Sequence, residues 1–122
     1  MKQLTKAEEQ IMHVVWKLKT VFIRDIIDAL PAPKPHYNTA ATIVKILVTK
    51  GFLTAKLIGN THQYSAVVDF EDYRKEHLVN IKKNYFGNSF PQMIAHFAKQ
   101  EKITDAEIEE LVKIIKSQKS KK

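Results

Sequence analysis

The residues with the clearest chemical potential lie in one segment, YNTAATIVKILVTKG, from Tyr37 to Gly51. On a helix that turns about 100° per residue, this segment has two opposite faces. One face is small and aliphatic and comprises Ala40, Ile43, Val44 and Leu47. The other carries hydroxyl, amide and ammonium groups, from Asn38, Thr42, Lys45 and Thr49.

No Asp or Glu interrupts the segment, although 27% of the chain is charged. A donor-rich face without carboxylates suits a polyanion such as nucleic acid. The solvated side of an ordinary amphipathic helix is the alternative interpretation.

The segment is bounded by residues that start and stop helices. The prolines before it are Pro31, Pro33 and Pro35. Proline cannot continue a preceding helix, and it favours extended backbone in the residue before it. We expect Asn38 or Thr39 to cap the new helix. Gly51 should close it, because glycine adopts the left-handed conformation without a Cβ clash.

The sequence after Gly51, FLTAKLIGNTHQYSAVV, predicts two short strands around a Gly59-Asn60 turn. The first strand alternates imperfectly, with Leu53, Ala55 and Leu57 set against Thr54, Lys56 and Ile58. A helix, a glycine and a hairpin form the order of recognition helix and wing in a winged helix-turn-helix. The predicted wing contacts with nucleic acid are Lys56, Asn60 and His62, and a solvated hairpin tip is the alternative.

The residues before the prolines predict two further helices. Thr5 and Glu8 fit a capping box, and the apolar spacing that follows predicts a helix from Lys6 to Leu18. Trp16 is interpreted as a packing residue rather than a base-stacking platform. Phe22-Ile23 is predicted to form a brief strand. A short second helix follows, with an apolar side of Ile23, Ile26, Ile27 and Leu30.

From Asp69 onwards the sequence predicts three amphipathic helices. The first lies in DFEDYRKEHLVNIKKNYF, the second begins with Ser89 as cap and Pro91 in its first turn, and the third begins with a capping box at Thr104–Glu107. The basic run KSQKSKK at the end is predicted to fray. Three such helices cannot enclose a full core alone, so we expect a second copy to cover them in a C2 dimer. The residues predicted at that interface are Tyr73, Leu78, Ile81, Phe97, Ile108, Leu111 and Ile115.

The predicted fold class is therefore mainly α with a small β-hairpin wing (α+β). A winged helix-turn-helix DNA-binding domain spans residues 1–68, and a three-helix dimerisation domain with a basic tail spans residues 69–122. Residues 1–68 hold 9 Lys and Arg and 4 Asp and Glu, which gives this part a net charge of +5, out of +7 for the whole chain. Positive charge is therefore concentrated in the predicted DNA-binding domain.

The sequence lacks the residues that several classes of function require. There is no cysteine, so disulfides, thiolate metal sites and cysteine nucleophiles are excluded. The five histidines lack metal-binding spacing, and no GxGxxG, Walker or GxSxG motif occurs. We therefore expect no enzyme, no metal and no cofactor. No signal-peptide region and no apolar run of about 20 residues is present, which predicts a soluble cytoplasmic protein without membrane insertion.

Tyr37 to Gly51 contains the pattern Tyr37-x-Thr39-x-x-Thr42-x4-Leu47-x-x-Lys50-Gly51. This pattern resembles the signature of the BlaI/MecI/CopY family of bacterial winged-helix repressors, of the penicillinase-repressor type. TKAEEQIMHVVW, with Ala7-Glu8 and Trp16, resembles that family's opening helix. Tyr64 resembles its YxP ending, with Ala66 in place of the proline. FGNSFPQMIAHFAKQEKITDAEIEELVKII resembles its dimerisation helices, so the likeness covers nearly the whole chain.

The resemblance implies a homodimeric repressor that binds a palindromic operator in double-stranded DNA, with a β-lactam-resistance-like or related stress operon as its target. In one branch of the family a membrane sensor protease pathway triggers cleavage of the repressor at an Asn-Phe pair. The corresponding pair here is His96-Phe97, which departs from that pattern. The copper-responsive branch uses a C-terminal cysteine cluster that this chain lacks. The family wing often has Gly-Arg where this chain has Gly59-Asn60.

The predicted DNA contacts combine the helix and the wing: Asn38, Thr39, Thr42, Lys45, Thr49, Lys56, Asn60 and His62. Two other classes of function stay open from the sequence. One is a winged-helix interaction module whose basic face binds an acidic protein. The other is a ligand-sensing regulator with a pocket between domains, lined by Trp16, Tyr73 and Phe86.

Overall fold

The first helix, α1, runs from Lys6 to Leu18, as predicted. The structure, a computed structural model, describes residues 2–120 of the chain. The Thr5 hydroxyl accepts from the Glu8 backbone N–H at 3.2 Å, and Glu8 Oε1 accepts from the Thr5 N–H at 2.9 Å. This reciprocal capping box satisfies two backbone donors that a helix start otherwise leaves unpaired.

A short strand and a short helix follow α1. Strand β1 comprises Thr20–Val21, and helix α2 runs from Ile23 to Ala29. The prediction of a strand at Phe22-Ile23 was therefore wrong. The Phe22 backbone N–H donates to Asp25 Oδ2 at 2.8 Å, so the backbone turns into a helix one residue after β1 ends.

Helix α3 runs from Tyr37 to Thr49 and carries the segment singled out in the sequence. Its N-cap is His36, which makes no side-chain capping hydrogen bond. The prediction of Asn38 or Thr39 as cap was wrong, because the helix begins two residues after Pro35 and both lie inside it. Gly51 has φ +84°, and the Phe52 N–H donates to the Leu47 carbonyl at 2.9 Å. The glycine therefore closes the helix as predicted.

The hairpin consists of β2, Leu53–Ile58, and β3, Thr61–Ala66. With β1 they form a three-stranded antiparallel sheet in the order β1-β3-β2. Tyr64 is paired with Val21 on one side and Ala55 on the other. Only Leu53 of β2 is buried, so the predicted alternation does not extend past the base of the hairpin. The outer part projects from the core as a wing.

The core lies between α1, α2, α3 and the base of the sheet. Its buried residues are Ile11, Met12, Val15, Val21, Ile23, Ile26, Ala40, Val44, Leu47, Phe52, Leu53 and Tyr64. Each helix buries one side, in agreement with the spacing in the sequence. The three helices and the hairpin thus form a winged helix.

The remaining helices are α4, Phe70–Tyr85, α5, Phe90–Gln100, and α6, Asp105–Ser120. The predicted caps are confirmed: Ser89 Oγ accepts from the Gln92 N–H at 3.2 Å, and Thr104 and Glu107 exchange the bonds of a capping box. The prediction that the basic run frays was wrong as far as Ser120, because α6 continues to that residue. The last two lysines lie outside the described residues.

The chain divides into two compact units, one ending at Glu76 and the other beginning at His77. The first turns of α4 therefore belong to the N-terminal unit. Trp16 Nε1 donates to the Val68 carbonyl at 2.9 Å, and its ring lies 5.1 Å from Phe70 and 5.2 Å from Tyr73 between centroids. These contacts confirm that Trp16 is a packing residue.

Tyr73 is a second anchor of α4. Its hydroxyl donates to Glu9 Oε2 at 2.6 Å. Burial raises the pKa of the Tyr73 phenol, and the hydrogen bond to the Glu9 carboxylate raises it further. The start of α4 is therefore fixed to α1 by a hydrogen bond as well as by ring packing.

Across residues 2–120, no helix has the length and apolar character needed to cross a membrane.

Candidate nucleic-acid interface

Helix α3 exposes the polar face that its sequence predicts. Ala40, Val44 and Leu47 are fully buried, and this anchors one side of the helix against the core. The polar residues Asn38, Thr42, Lys45 and Thr49 are all exposed. The fold thus holds a rigid helix with its donor-rich side towards solvent.

Two threonines of α3 differ in their surroundings. The Thr42 hydroxyl donates to the Asn38 carbonyl at 2.9 Å, so its proton is used within the helix while its oxygen still accepts. Thr39 is exposed on the flank of the helix, where it lines an open cleft together with Pro31 and Pro33. Thr39 therefore does not share the stripe formed by the other polar residues.

The wing brings its predicted residues to the surface. Lys56, Asn60 and His62 are all exposed. Lys56 is paired with Gln63 in the register of the hairpin, and Asn60 lies in the tight turn after Gly59. Leu57 between them is 63% exposed, so the wing surface is partly apolar, which the expected alternation did not predict.

The absence of carboxylates extends well beyond α3. Residues 29–68, which contain the α2–α3 loop, α3 and the whole wing, include no Asp or Glu and four lysines. Lys34 Nζ donates to the carbonyls of Ile27, Asp28 and Leu30 at 2.7–3.0 Å, and therefore caps the end of α2. Within the described chain, Lys45 and Lys56 form no ion pair with a carboxylate.

Lys50 has a structural partner instead. Its Nζ lies 2.6 Å from Glu8 Oε1, and the Glu8 side chain is only 6% exposed. Burial would raise the pKa of the Glu8 carboxyl, but the bonds from Lys50 and Thr5 outweigh it and hold the pKa below its ordinary value. Lys50 also donates to the Gln3 carbonyl at 3.1 Å. The end of α3 is thereby tied to the start of α1.

Sequence reasoning missed two exposed residues beside the polar stripe. Ile46 is 40% exposed and Tyr37 48%. Both lie within the segment whose faces were assigned from the sequence, and neither was assigned to either face. Their helical positions were readable, but their exposure depends on how far the loop and hairpin cover the sides of α3.

An open cleft of about 430 Å³ lies beside α3 in the N-terminal unit. Its lining includes Ala7 and Ile11 of α1, Pro31 and Pro33 of the α2–α3 loop, and Ile43 of α3. The residues predicted to line a ligand pocket lie elsewhere. Trp16 packs on Tyr73, and the Phe86 ring lies 5.5 Å from His96 within the C-terminal unit.

The predicted interface residues of the C-terminal unit are at least partly exposed in the single chain. Ile81 and Leu111 are half-buried, while Leu78, Phe97, Ile108 and Ile115 are exposed. Tyr73 belongs to the N-terminal unit and contacts α1. His96 and Phe97 both lie exposed on α5, and the Phe97 side chain is 57% exposed.

Comparison with known proteins gives a family match over nearly the whole chain. The penicillinase repressor family model matches residues 4–117. The chain is 25% identical to the methicillin resistance regulatory protein MecI of Staphylococcus aureus strain N315 over 114 residues, 93% of each chain. It is also 25% identical to the penicillinase repressor of Bacillus licheniformis over 121 residues, 98% of this chain and 94% of that protein.

Solved structures resemble more than half of the chain. The DNA-binding domain of the repressor BlaI matches with a TM-score of 0.52 and 28% identity, covering 58% of this chain and 88% of that one. The monomeric form of Bacillus licheniformis BlaI in complex with the blaP half-operator matches with a TM-score of 0.50 and 27% identity, covering 59% and 89%. By the family match and the winged-helix fold, this chain belongs to the penicillinase repressor family of transcriptional repressors.

Proposed function

We propose that this chain is a non-enzymatic transcriptional repressor that binds an operator in double-stranded DNA through α3 and the wing. The observation that carries the proposal is the exposed, carboxylate-free surface of residues 29–68, with Lys45 and Lys56 exposed and outside any ion pair with a described carboxylate. Phosphate contacts dominate the affinity of proteins for DNA, and nearby carboxylates would oppose them. A repressor of this kind acts in the cytoplasm, on the bacterial chromosome.

The solved relatives support the same surface. The solved complex of Bacillus licheniformis BlaI with the blaP half-operator resembles 59% of this chain. In winged and related helix-turn-helix proteins, the second helix of the motif enters the major groove and reads base edges with its N-terminal residues. In this chain that helix is α3.

The role of each residue follows from its position. Asn38 and Thr42 on the polar stripe and Thr39 on its flank lie in the first two turns of α3. His36 provides no side-chain cap there, so the backbone N–H groups at this helix start can also bind a phosphate. Lys45 and Thr49 lie one and two turns further along the groove. Lys56, Asn60 and His62 bring the wing to the neighbouring backbone or minor groove.

We also propose that the repressor is a homodimer. No residue between 77 and 119 is buried, although the three helices carry apolar side chains at helical spacing. A second copy would cover Leu78, Ile81, Phe97, Ile108, Leu111 and Ile115. A twofold dimer places two recognition helices about 34–36 Å apart, one DNA turn, and so favours a palindromic operator.

The names of the relatives suggest the class of genes that is controlled. Relatives are named methicillin resistance regulatory protein and penicillinase repressor, and we propose a β-lactam-resistance-like or related stress operon for this chain. Release through a membrane sensor protease pathway would require cleavage at or near His96-Phe97. That pair is exposed but lies inside the regular helix α5, so α5 would have to unwind locally before a protease could cleave it.

Replacement of Lys45 by Ala tests the proposed surface. We expect weaker binding of a duplex selected by the full chain from a random pool. If Lys45 reads a base, the loss of binding free energy is about 1–3 kcal/mol. If Lys45 contacts a phosphate, affinity falls about equally for all DNA sequences, and the slope of log K against log salt becomes smaller by about 1. Fluorescence anisotropy at several salt concentrations measures both quantities.

Lys113→Ala is the matched control, because Lys113 is an exposed lysine on α6 and its loss removes the same charge. Equal affinities of Lys45→Ala and Lys113→Ala would remove Lys45 from the proposed DNA contacts. Failure of the unaltered protein to select any duplex would overturn the repressor function itself and favour a module that binds an acidic protein.

A further inference from the structure

Ile46 lies directly beside the polar stripe of α3 (Asn38, Thr42, Lys45 and Thr49) and is 40% exposed. It follows Thr42 by four residues and precedes Thr49 by three, spacings that place side chains side by side on a helix. Lys45 is its neighbour in sequence and is also exposed. The Ile46 side chain therefore adjoins the polar residues of the proposed DNA-reading surface and is open to solvent next to them.

A single exposed aliphatic residue needs no explanation in itself. The position of Ile46 makes it different, because the adjoining stripe is entirely polar and this side of α3 faces a polyanion in the proposed function. An aliphatic side chain cannot bind a phosphate or donate to a base edge. Its fit to the major groove must come from an apolar group in that groove.

The major groove presents one such group, the 5-methyl of thymine. We propose that Ile46 is a specificity-determining residue that packs on the 5-methyl group of a thymine in the operator. This inference rests on the proposed function, since it requires α3 to lie in the major groove. It adds a preference for thymine at one base pair of each half-site, beyond the contacts of the polar residues.

The experiment removes the methyl group from the DNA and the side chain from the protein, separately and together. The probe is the duplex selected by the full chain from a random pool, with each thymine in turn replaced by deoxyuridine in both half-sites. Deoxyuridine keeps the hydrogen bonds of thymine and lacks only the methyl group. Anisotropy gives the affinity of the unaltered protein and of Ile46→Ala for each duplex.

For the unaltered protein, one deoxyuridine position in each half-site should weaken binding about fourfold per half-site, the equivalent of about 0.8 kcal/mol for one buried methyl group. Ile46→Ala should bind the thymine duplex more weakly and show no further loss with deoxyuridine at that position, because the two changes remove the same contact. Ile46→Val, which keeps part of the side chain, should lie between the two.

Leu18→Ala is the matched control. Leu18 has the same number of carbon atoms, ends α1 and is 44% exposed, so its loss should leave the effect of deoxyuridine unchanged. Alanine favours helix in an exposed position, and circular dichroism checks that the Ile46 variant is folded.

Two results would overturn the proposal. Either no thymine position responds to loss of its methyl group, or Ile46→Ala responds to deoxyuridine as strongly as the unaltered protein does. Both results leave the repressor function intact as long as a duplex is selected and Lys45→Ala weakens its binding. Selection of no duplex at all is the separate result that ends the repressor proposal.

Discussion

At the scale of single residues, the ion pair between Glu8 and Lys50 joins two parts of the sequence that looked independent. Glu8 is a member of the capping box of α1, and Lys50 precedes the glycine that ends α3. Their side chains meet at 2.6 Å with Glu8 almost fully buried. Lys50 therefore belongs to the scaffold that fixes the end of α3 to the start of α1.

This pair predicts a stability that depends on pH. The pKa of Glu8 is lower in the folded chain than its ordinary value of 4.5, so the unfolded chain binds the proton more readily. The stabilisation is then complete above that value and is lost as the pH falls below it towards the folded pKa. Glu8→Gln should cost about 1–3 kcal/mol near neutral pH, because Lys50 loses its charged partner.

Urea unfolding at about pH 7 and about pH 3, followed by the fluorescence of Trp16, the single tryptophan, measures this effect. The difference between the two pH values should shrink in Glu8→Gln. Glu71→Gln is the control, because Glu71 and Arg74 form a pair that is more than half exposed and such pairs contribute little. Equal pH dependence in Glu8→Gln and the unaltered protein would contradict the role of the pair.

At the scale of elements, local chemistry was predictable and contacts distant in sequence were not. The capping boxes at Thr5 and Thr104 and the cap at Ser89 act over three residues, so the sequence shows both partners together. Strand β1 depends on pairing with β3, where Thr20 meets Ser65. No pattern near Thr20 reveals a partner so far along the chain, and the strand was placed two residues too late.

The start of α3 shows a second limit. Asn38 and Thr39 are good capping residues in general, but the backbone after Pro35 already enters the helix at Tyr37. The preference of Asn38 and Thr39 for the N-cap position is overridden, because the loop that ends at Pro35 lets the helix begin before them. For the site, this shift places the Asn38 side chain on the exposed stripe and not at the cap.

The candidate site itself was partly readable from the sequence. The spacing of Asn38, Thr42, Lys45 and Thr49 on one face is a property of helix geometry, and the structure exposes all four. The role of Lys34 was not readable, because it depends on the path of the α2–α3 loop, which brings Nζ back to the carbonyls at the end of α2. The role of Lys50 was not readable, because its partner Glu8 lies 42 residues away in the sequence. The exposure of Ile46 likewise depends on what the fold leaves uncovered.

At the scale of the whole molecule, the proposed dimer predicts a clear effect of one substitution. Leu111 lies half-buried on α6, near the exposed Ile108 and Ile115. Leu111→Asp would place a charge in an apolar interface, where an unpaired charge is strongly unfavourable. We expect monomers in sedimentation velocity at concentrations where the unaltered protein is dimeric.

Lys113→Asp is the control for that experiment, since position 113 lies about 140° around the helix from Ile108 and should remain outside the interface. A Leu111→Asp variant that sediments as a dimer would contradict the proposed seam. Monomers from both variants would show instead that any new carboxylate on α6 prevents assembly.

In the proposed function, the exposed face of α3 and the wing read a DNA sequence. The measurement that tests it most directly is fluorescence anisotropy with a duplex from the promoter of the protein's own gene against a scrambled duplex, at low and at higher salt. Sequence-reading contacts survive as salt weakens phosphate attraction, so we expect a preference for the promoter that persists at the higher salt. Equal binding of both duplexes that disappears with salt would contradict it and reduce the basic surface to non-specific attraction.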